Sequence, residues 1–276
     1  MYCDLHTHSN FSDGTDTPMQ LVTLAKQSNR IIALTDHNTV AGLPAFMAQA
    51  EEMGVTAVGG IELSTEYEGK ELHLLGLFIE QPHYETIQRW TDEFRSQKER
   101  SNRQLCERLC ADGYCVDYSR IVAENGQNVN RAYIANALCR DGYVTSVSQA
   151  FHTLLDESHG YYIPPKRPSV WNGLDVLQRI KAVPVLAHPL KDLDEQSLCR
   201  LLDTIVPQGL AGMEIYHSSY NQEQSNTAAK IAKAYALLPG GGSDYHGTRK
   251  EHTPFGIPEI PRQVYDDLLC YKKSIL

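Results

Sequence analysis

Six of the chain's eleven histidines sit at the end of a short apolar run or just past it, often beside an acid. His6 and His8 close Asp4-Leu5-His6-Thr7-His8, and Asp13 follows in Ser12-Asp13-Gly14. Asp36 and His37 end Leu34-Thr35-Asp36-His37, and Glu62 ends Gly59-Gly60-Ile61-Glu62. His73 lies in Leu72-His73-Leu74, His188 in Ala187-His188-Pro189, and Asp244 and His246 in Ser243-Asp244-Tyr245-His246. Imidazole and carboxylate together suit zinc, manganese and iron. His6 and His8 are two residues apart in an extended chain, so both side chains point to one side. That geometry allows two ligands on one ion.

Such residues converge only if a scaffold brings the strand ends together. Tyr2–His6, Ile31–Thr35, Val55–Ile61 and Leu72–Ile79 read as strands. Thr17–Asn29 reads as a helix, with Thr17 as cap and Pro18 at its first position. Val40–Met53 reads as a second helix stopping at Gly54. The rhythm resumes with strands Val183–His188 and Gly212–Tyr216 and helices Gln196–Val206 and Gln222–Ala236. Repeated βα units argue for a parallel sheet, open or closed into a barrel, whose strand ends face one site. Between Pro82 and Pro165 no buried strand is legible. Tyr84–Ala111, Arg131–Arg140 and Ser146–Leu155 read as helices there.

DLHTHSNFSDG, ALTDHNT, GGIE, HLLG, LAHP and GSDYHG, in this order, resemble the polymerase and histidinol phosphatase (PHP) family of metal-dependent phosphoesterases. The likeness covers roughly residues 1–80 and 165–260. The intervening helices resemble the subgroup acting on nucleoside 3′,5′-bisphosphates and on the 5′ ends of short oligonucleotides. The resemblance implies a distorted (β/α)7 barrel formed by residues 1–81 and 165–276. A helical insertion over 82–164 would act as a lid or specificity element. It also implies two or three divalent ions: Mn2+, Zn2+ or Fe2+, with Mg2+ an alternative. His6, His8, Glu62 and Asp244 would hold one ion, and Glu62 would bridge to a second held by His73 and His188. Asp13, His37 and His246 would hold a third, Asp13 standing where several family members have histidine. Asp13, His37, Glu62 and His246 are the expected catalytic set, and Asp36 is expected to orient a neighbour. The ions would neutralise the phosphate, acidify a bound water and hold it in line with the leaving group.

Arg100, Arg103 and Arg131 of the insertion are candidate phosphate binders. Arg131 opens a helix, and a helix N-terminus with an arginine is suited to anions. His217, after the strand Gly212–Tyr216, is a candidate substrate contact or proton donor. His83, His152, His159 and His252 have no such setting and read as structural or exposed. The net charge of −9 excludes a broad basic face for long duplex nucleic acid, though bound ions admit a small phosphorylated substrate such as a nucleotide or short oligonucleotide. No apolar run is long enough for a membrane span. The opening MYCDLHTHSN has no leader-like pattern, so a cytoplasmic protein is expected. The seven cysteines form no CxxC and read as reduced thiols, mostly in the core. Alternatives are a histidinol-phosphate phosphatase, an amidohydrolase acting on C–N bonds, and a non-catalytic metal-stabilised binding module. The amidohydrolase reading lacks the strand-end lysine that class often uses.

Overall fold

Tyr2–Asp4 (β1) and Arg30–Leu34 (β2) are short apolar strands, almost wholly buried, as parallel strands covered by helices must be. They pair in parallel and begin a barrel in the computed structural model, which describes residues 1–125, 129–165, 167–249 and 253–276. Ala57–Tyr67 (β3), Lys70–Leu77 (β4), Val183–Leu186 (β5), Gly212–His217 (β6) and Leu238–Gly242 (β7) follow in spatial as well as chain order. The two-residue Ile260–Pro261 (β8) pairs antiparallel with β1. The ring nearly closes where the chain leaving β1 meets β7 and the loop after it. Leu5 N–H donates to Gly241 O (3.2 Å), and Asp244 N–H donates to His6 O (2.9 Å). The barrel is distorted because β4 runs antiparallel to both β3 and β5.

Local chemistry explains the helices. Thr17 and Gln20 form a reciprocal capping box before Pro18–Gln27. The second helix starts at Leu43 rather than Val40 and ends at Gly54 in the left-handed conformation. Helices Val170–Arg179 and Arg262–Ser274 have no counterpart in the sequence reading. The first carries Gly173 mid-helix, where a Cβ would lie 2.8 Å from Thr65 Cγ2, so the glycine permits close docking on β3. The glycine run of β7 has a similar cause: a Cβ on Gly242 would collide with His6.

The chain divides into two compact units: Met1–Thr91 with Arg167–Leu276, and Asp92–Lys166. The division falls inside the helix Tyr84–Ala111, some way past residue 82. Ile87, in the first turns of that helix, belongs to the barrel core, whereas Leu105 and Leu109 belong to a separate core. Ile121, Ile134, Leu138 and Leu155 complete that second core. Helices Tyr118–Asn125 and Arg131–Arg140 supply much of it.

One expectation is corrected here. Cys110 and Cys115 are joined by a disulfide rather than free. Gly113, at φ +92°, turns the chain back and brings the two Cα atoms to 4.0 Å. The other five cysteines are free thiols but not mostly core: Cys139 and Cys199 are half-buried and Cys270 exposed, while Cys3 and Cys106 are buried and burial pushes each up to about 12.

Candidate metal centre

Glu62, fully buried in β3, is the hub. Its Oε2 lies 3.2 Å from both His6 Nε2 and His8 Nε2 and 3.0 Å from His37 Nδ1. Its Oε1 lies 2.8 Å from His73 Nδ1 and 3.1 Å from His188 Nε2. Asp244 Oδ1 closes the first group, 3.3 Å from His8 Nε2 and 3.6 Å from His6 Nε2. Asp13 Oδ1 gathers a further group, 3.2 Å from His246 Nε2 and 3.9 Å from both His8 Nδ1 and His37 Nε2. All nine expected ligands therefore converge at one end of the barrel. The sets His6–His8–Glu62–Asp244, His37–Glu62–His73 and His8–Asp13–His37–His246 each have ligand atoms close enough to share an ion.

These groups answer one another electrostatically. Burial opposes the charged form of His8, but Asp244 and Glu62 overcome it and push the imidazole up to about 9. Burial likewise opposes His73, and the Glu62 charge lifts it to about 10. Burial alone would raise Glu62, yet His37, His73 and His6 hold it well below the carboxylate range. His37 and His246 go the other way: burial pushes His37 down to about 3 and lowers His246. Asp13 is lowered: burial opposes, and His246 and His37 prevail.

The donor set fits divalent cations. His6 Nε2, His8 Nδ1 and Nε2, His37 Nδ1, Glu62 Oε2, His73 Nδ1 and His246 Nε2 are buried without a hydrogen-bond partner among the described residues. Unsatisfied buried polar atoms are costly and uncommon. Divalent cations satisfy both the imidazole lone pairs and the carboxylate oxygens.

Supporting groups fix the ligands. Asp36 accepts from Ser9 N–H (2.7 Å), Ser9 Oγ (2.6 Å) and Ser12 Oγ (2.6 Å). It thus holds the loop that carries Asp13; no hydrogen bond from it to a histidine ring is seen among the described residues. Asp4 accepts from Ser243 N–H (2.8 Å) and Ser243 Oγ (2.6 Å), anchoring the segment with Asp244 and His246. Ser219 N–H donates to His217 Nδ1 (3.1 Å), so the ring's proton sits on Nε2, 3.7 Å from Asp244 Oδ2. Glu214 was missed by the sequence reading. Its signal was an acid inside the apolar run Met213-Glu214-Ile215.

The candidate phosphate arginines belong to the helical unit. Arg100 is exposed. Arg103 pairs with Glu99 (3.1 Å) and lies over the Tyr118 ring. Arg131 sits 4.0 Å over the Tyr162 ring and donates to Leu155 O (3.0 Å). His152 and His159 are exposed and His83 half-buried, whereas His252 lies outside the described residues.

Histidines and carboxylates gathered where the strands of an α/β barrel end define a metal-dependent hydrolase. The chain belongs to the PHP domain family, whose model matches residues 4–162, more than half of the sequence. It is 29% identical over 248 residues to a 5′-3′ exoribonuclease of Haemophilus influenzae, covering 88% of this chain and 89% of that one. It is 31% identical over 268 residues to a phosphoribosyl 1,2-cyclic phosphate 1,2-diphosphodiesterase of Eggerthella lenta, covering 92% and 98%. It is 26% identical over 273 residues to a 3′,5′-nucleoside bisphosphate phosphatase of Chromobacterium violaceum, covering 96% and 95%. Among solved structures, one described as a metal-dependent phosphoesterase from Bifidobacterium adolescentis superposes with a TM-score of 0.79 at 29% identity, covering 97% and 95%. The chain is accordingly a metal-dependent phosphoesterase. No helix among the described residues is long and apolar enough to cross a membrane.

Proposed function

We propose that the chain hydrolyses a phosphate monoester of a nucleoside 3′,5′-bisphosphate or at the 5′ end of a short oligonucleotide, with two or three Mn2+, Zn2+ or Fe2+ ions, Mg2+ being an alternative. The observation that carries this reading is the convergence of five histidines on the two oxygens of Glu62. The exoribonuclease and bisphosphate phosphatase relatives support the substrate class. His6, His8, Glu62 and Asp244 would hold one ion, His73 and His188 a second with Glu62, and Asp13, His37 and His246 a third. When bound, the ions neutralise the phosphate oxygens and make water acidic enough to attack. The chain's own groups do the rest. Asp36 and Asp4 hold the two ligand-bearing loops, so the reacting phosphate meets a fixed frame. His217 presents Nε2–H beside Asp244, where it can donate to a phosphate oxygen or the leaving oxygen. In the helical unit, Arg131 is the best-held of the three candidate arginines for the second phosphate, because stacking on Tyr162 fixes its guanidinium.

The test is phosphate release from nucleoside bisphosphates, mononucleotides, histidinol phosphate and short 5′-phosphorylated RNA, with Mn2+, Zn2+ or Mg2+. Preference for a bisphosphate over the matching mononucleotide is expected. Faster turnover of histidinol phosphate overturns the reading. A second reading, opening of a cyclic phosphodiester, is favoured by the Eggerthella relative. Phosphorus NMR on a ribosyl cyclic phosphate separates it, because ring opening yields a monoester before any free phosphate.

A further inference from the structure

Glu214 lies in the middle of β6, fully buried, and belongs to none of the three ligand sets just proposed. Its two oxygens go to two different histidines of the centre. Oε1 is 3.0 Å from His6 Nδ1, and Oε2 accepts the backbone N–H of His188 at 2.7 Å. His6 follows β1 and His188 follows β5, so one carboxylate ties together two separate strand ends.

Each contact has a specific consequence. Both ring nitrogens of His6 face carboxylates; with an ion on the Nε2 side, the Glu214 contact would keep the ring's hydrogen on Nδ1 and leave the Nε2 lone pair for the ion. Nε2 is the atom that faces Glu62 and Asp244. At His188 the backbone is at φ 28°, ψ 47°, a region sparsely populated by residues other than glycine. Such a conformation persists only where its surroundings enforce it. The Glu214 bond to its N–H is one such enforcement, and it leaves His188 Nε2 3.1 Å from Glu62 Oε1.

We propose that Glu214 is the positioning residue of the metal centre, fixing the tautomer of His6 and the backbone of His188. This rests on the reading of those histidines as ligands. His6, Glu214 and His217 also lie close enough to suggest a further cation site. Two hydrogen bonds already engage the Glu214 oxygens, and Ser219 N–H on His217 Nδ1 puts the ring's proton on Nε2, so neither nitrogen of His217 offers a lone pair and the group is a support rather than a site. Both partners are donors, which requires two acceptors. Glutamine has one acceptor and would set its NH2 against the other N–H. Aspartate is a methylene shorter and cannot span both.

The test uses the full-length protein stripped by chelation and reloaded with Zn2+. In nitrogen-15 NMR of the zinc-loaded wild type, His6 is expected to show a protonated Nδ1. A deprotonated Nδ1 overturns the proposal without any variant. In Glu214→Gln, zinc affinity measured by chelator competition should fall about 10- to 100-fold, the usual cost of losing a ligand's supporting partner. The drop should shrink in a His6→Ala background, because one of the two routes is then gone; a merely structural role would leave it undiminished. Zinc affinity within twofold of wild type in Glu214→Gln overturns the proposal alone. Wild-type protein that binds no zinc overturns the centre as a whole, and the proposal with it.

Discussion

The barrel rim and the helical unit treat charge in opposite ways. At the rim, Glu62 is wholly buried and Asp244 nearly so, against rings such as His6, His8 and His37, each with a buried nitrogen that has no hydrogen-bond partner among the described residues. In the helical unit exposed acids and arginines pair one turn apart, as Arg103–Glu99 and Arg120–Glu124 do. Exposed pairs of this kind contribute little and exist mainly to solvate a helix. Buried and convergent charge is costly unless something resolves it. The contrast teaches where to look for chemistry: the rim is arranged for ions that complete it, and the helical unit is stable by its own apolar core. Arg131 departs from the second pattern: it is half-buried, lies over Phe151 and Tyr162 and donates to Leu155 O, whereas Arg103, though over Tyr118, is exposed and paired with Glu99.

The largest effect should come from the rim. His8→Ala or Asp244→Asn should lower kcat/KM by more than the ~100-fold typical of losing a supporting partner. The fold should survive, because the barrel is packed by residues such as Ile32, Leu74 and Met213. Turnover in metal-replete buffer beside a thermal melt checks this, and near-wild-type turnover would remove that residue from the ligand set.

Next is a difference in pH response. His8 and His73 rise to about 9 and 10 in the folded, metal-free protein, against an unfolded value near 6.5. Groups raised on folding stabilise fully below the unfolded value, and the contribution fades as pH climbs through the folded ones. Metal-free protein should therefore lose stability between roughly pH 7 and 10, and metal affinity should rise over that interval as protons cease to compete. Denaturant melts at stepped pH, with and without Mn2+, report both. Parallel curves for the two forms would contradict the assignment.

Arg131→Ala should come third. Loss of one charge-assisted contact is worth ~1.5–3 kcal/mol, or about 10- to 100-fold in kcat/KM for a bisphosphate. An aryl phosphate, lacking the second phosphate, should be little affected. Equal losses on both substrates would place Arg131 in the fold of the helical unit instead. Smallest is Arg103→Ala, expected to change kcat/KM on either substrate by less than about twofold. A large loss there would break the contrast between the two regions.

Much of the rim was legible because its code is local. His6-Thr7-His8 needs only an extended chain to place two rings together, and their centroids are 5.0 Å apart. Thr17-Pro18 announces its helix by cap chemistry alone. What stayed hidden depends on distant partners. Leu238-Pro239-Gly240-Gly241-Gly242 looks like a loop; it is a strand through its pairing with β6, and its glycines are needed because Cβ atoms there would meet Val185, Tyr216 and His6. Val170–Arg179 carries a glycine that suits docking rather than helix propensity. Glu214 reveals its role only once two strand ends stand beside it. The Cys110–Cys115 link follows from a turn geometry that spacing alone does not specify.

The meeting of β1 with β7 also sets a timetable for synthesis. His6 and His8 leave the ribosome early, whereas Asp244 and His246 leave it late, and the backbone bond between Leu5 and Gly241 waits for the same event. A nascent chain halted before residue 238 lacks β7 and holds only part of the ligand cage. Pairings this distant in sequence form slowly. Loading with ions is thus expected to be among the last steps of maturation, and a cell short of the right ion would accumulate closed barrels rather than unfolded chains.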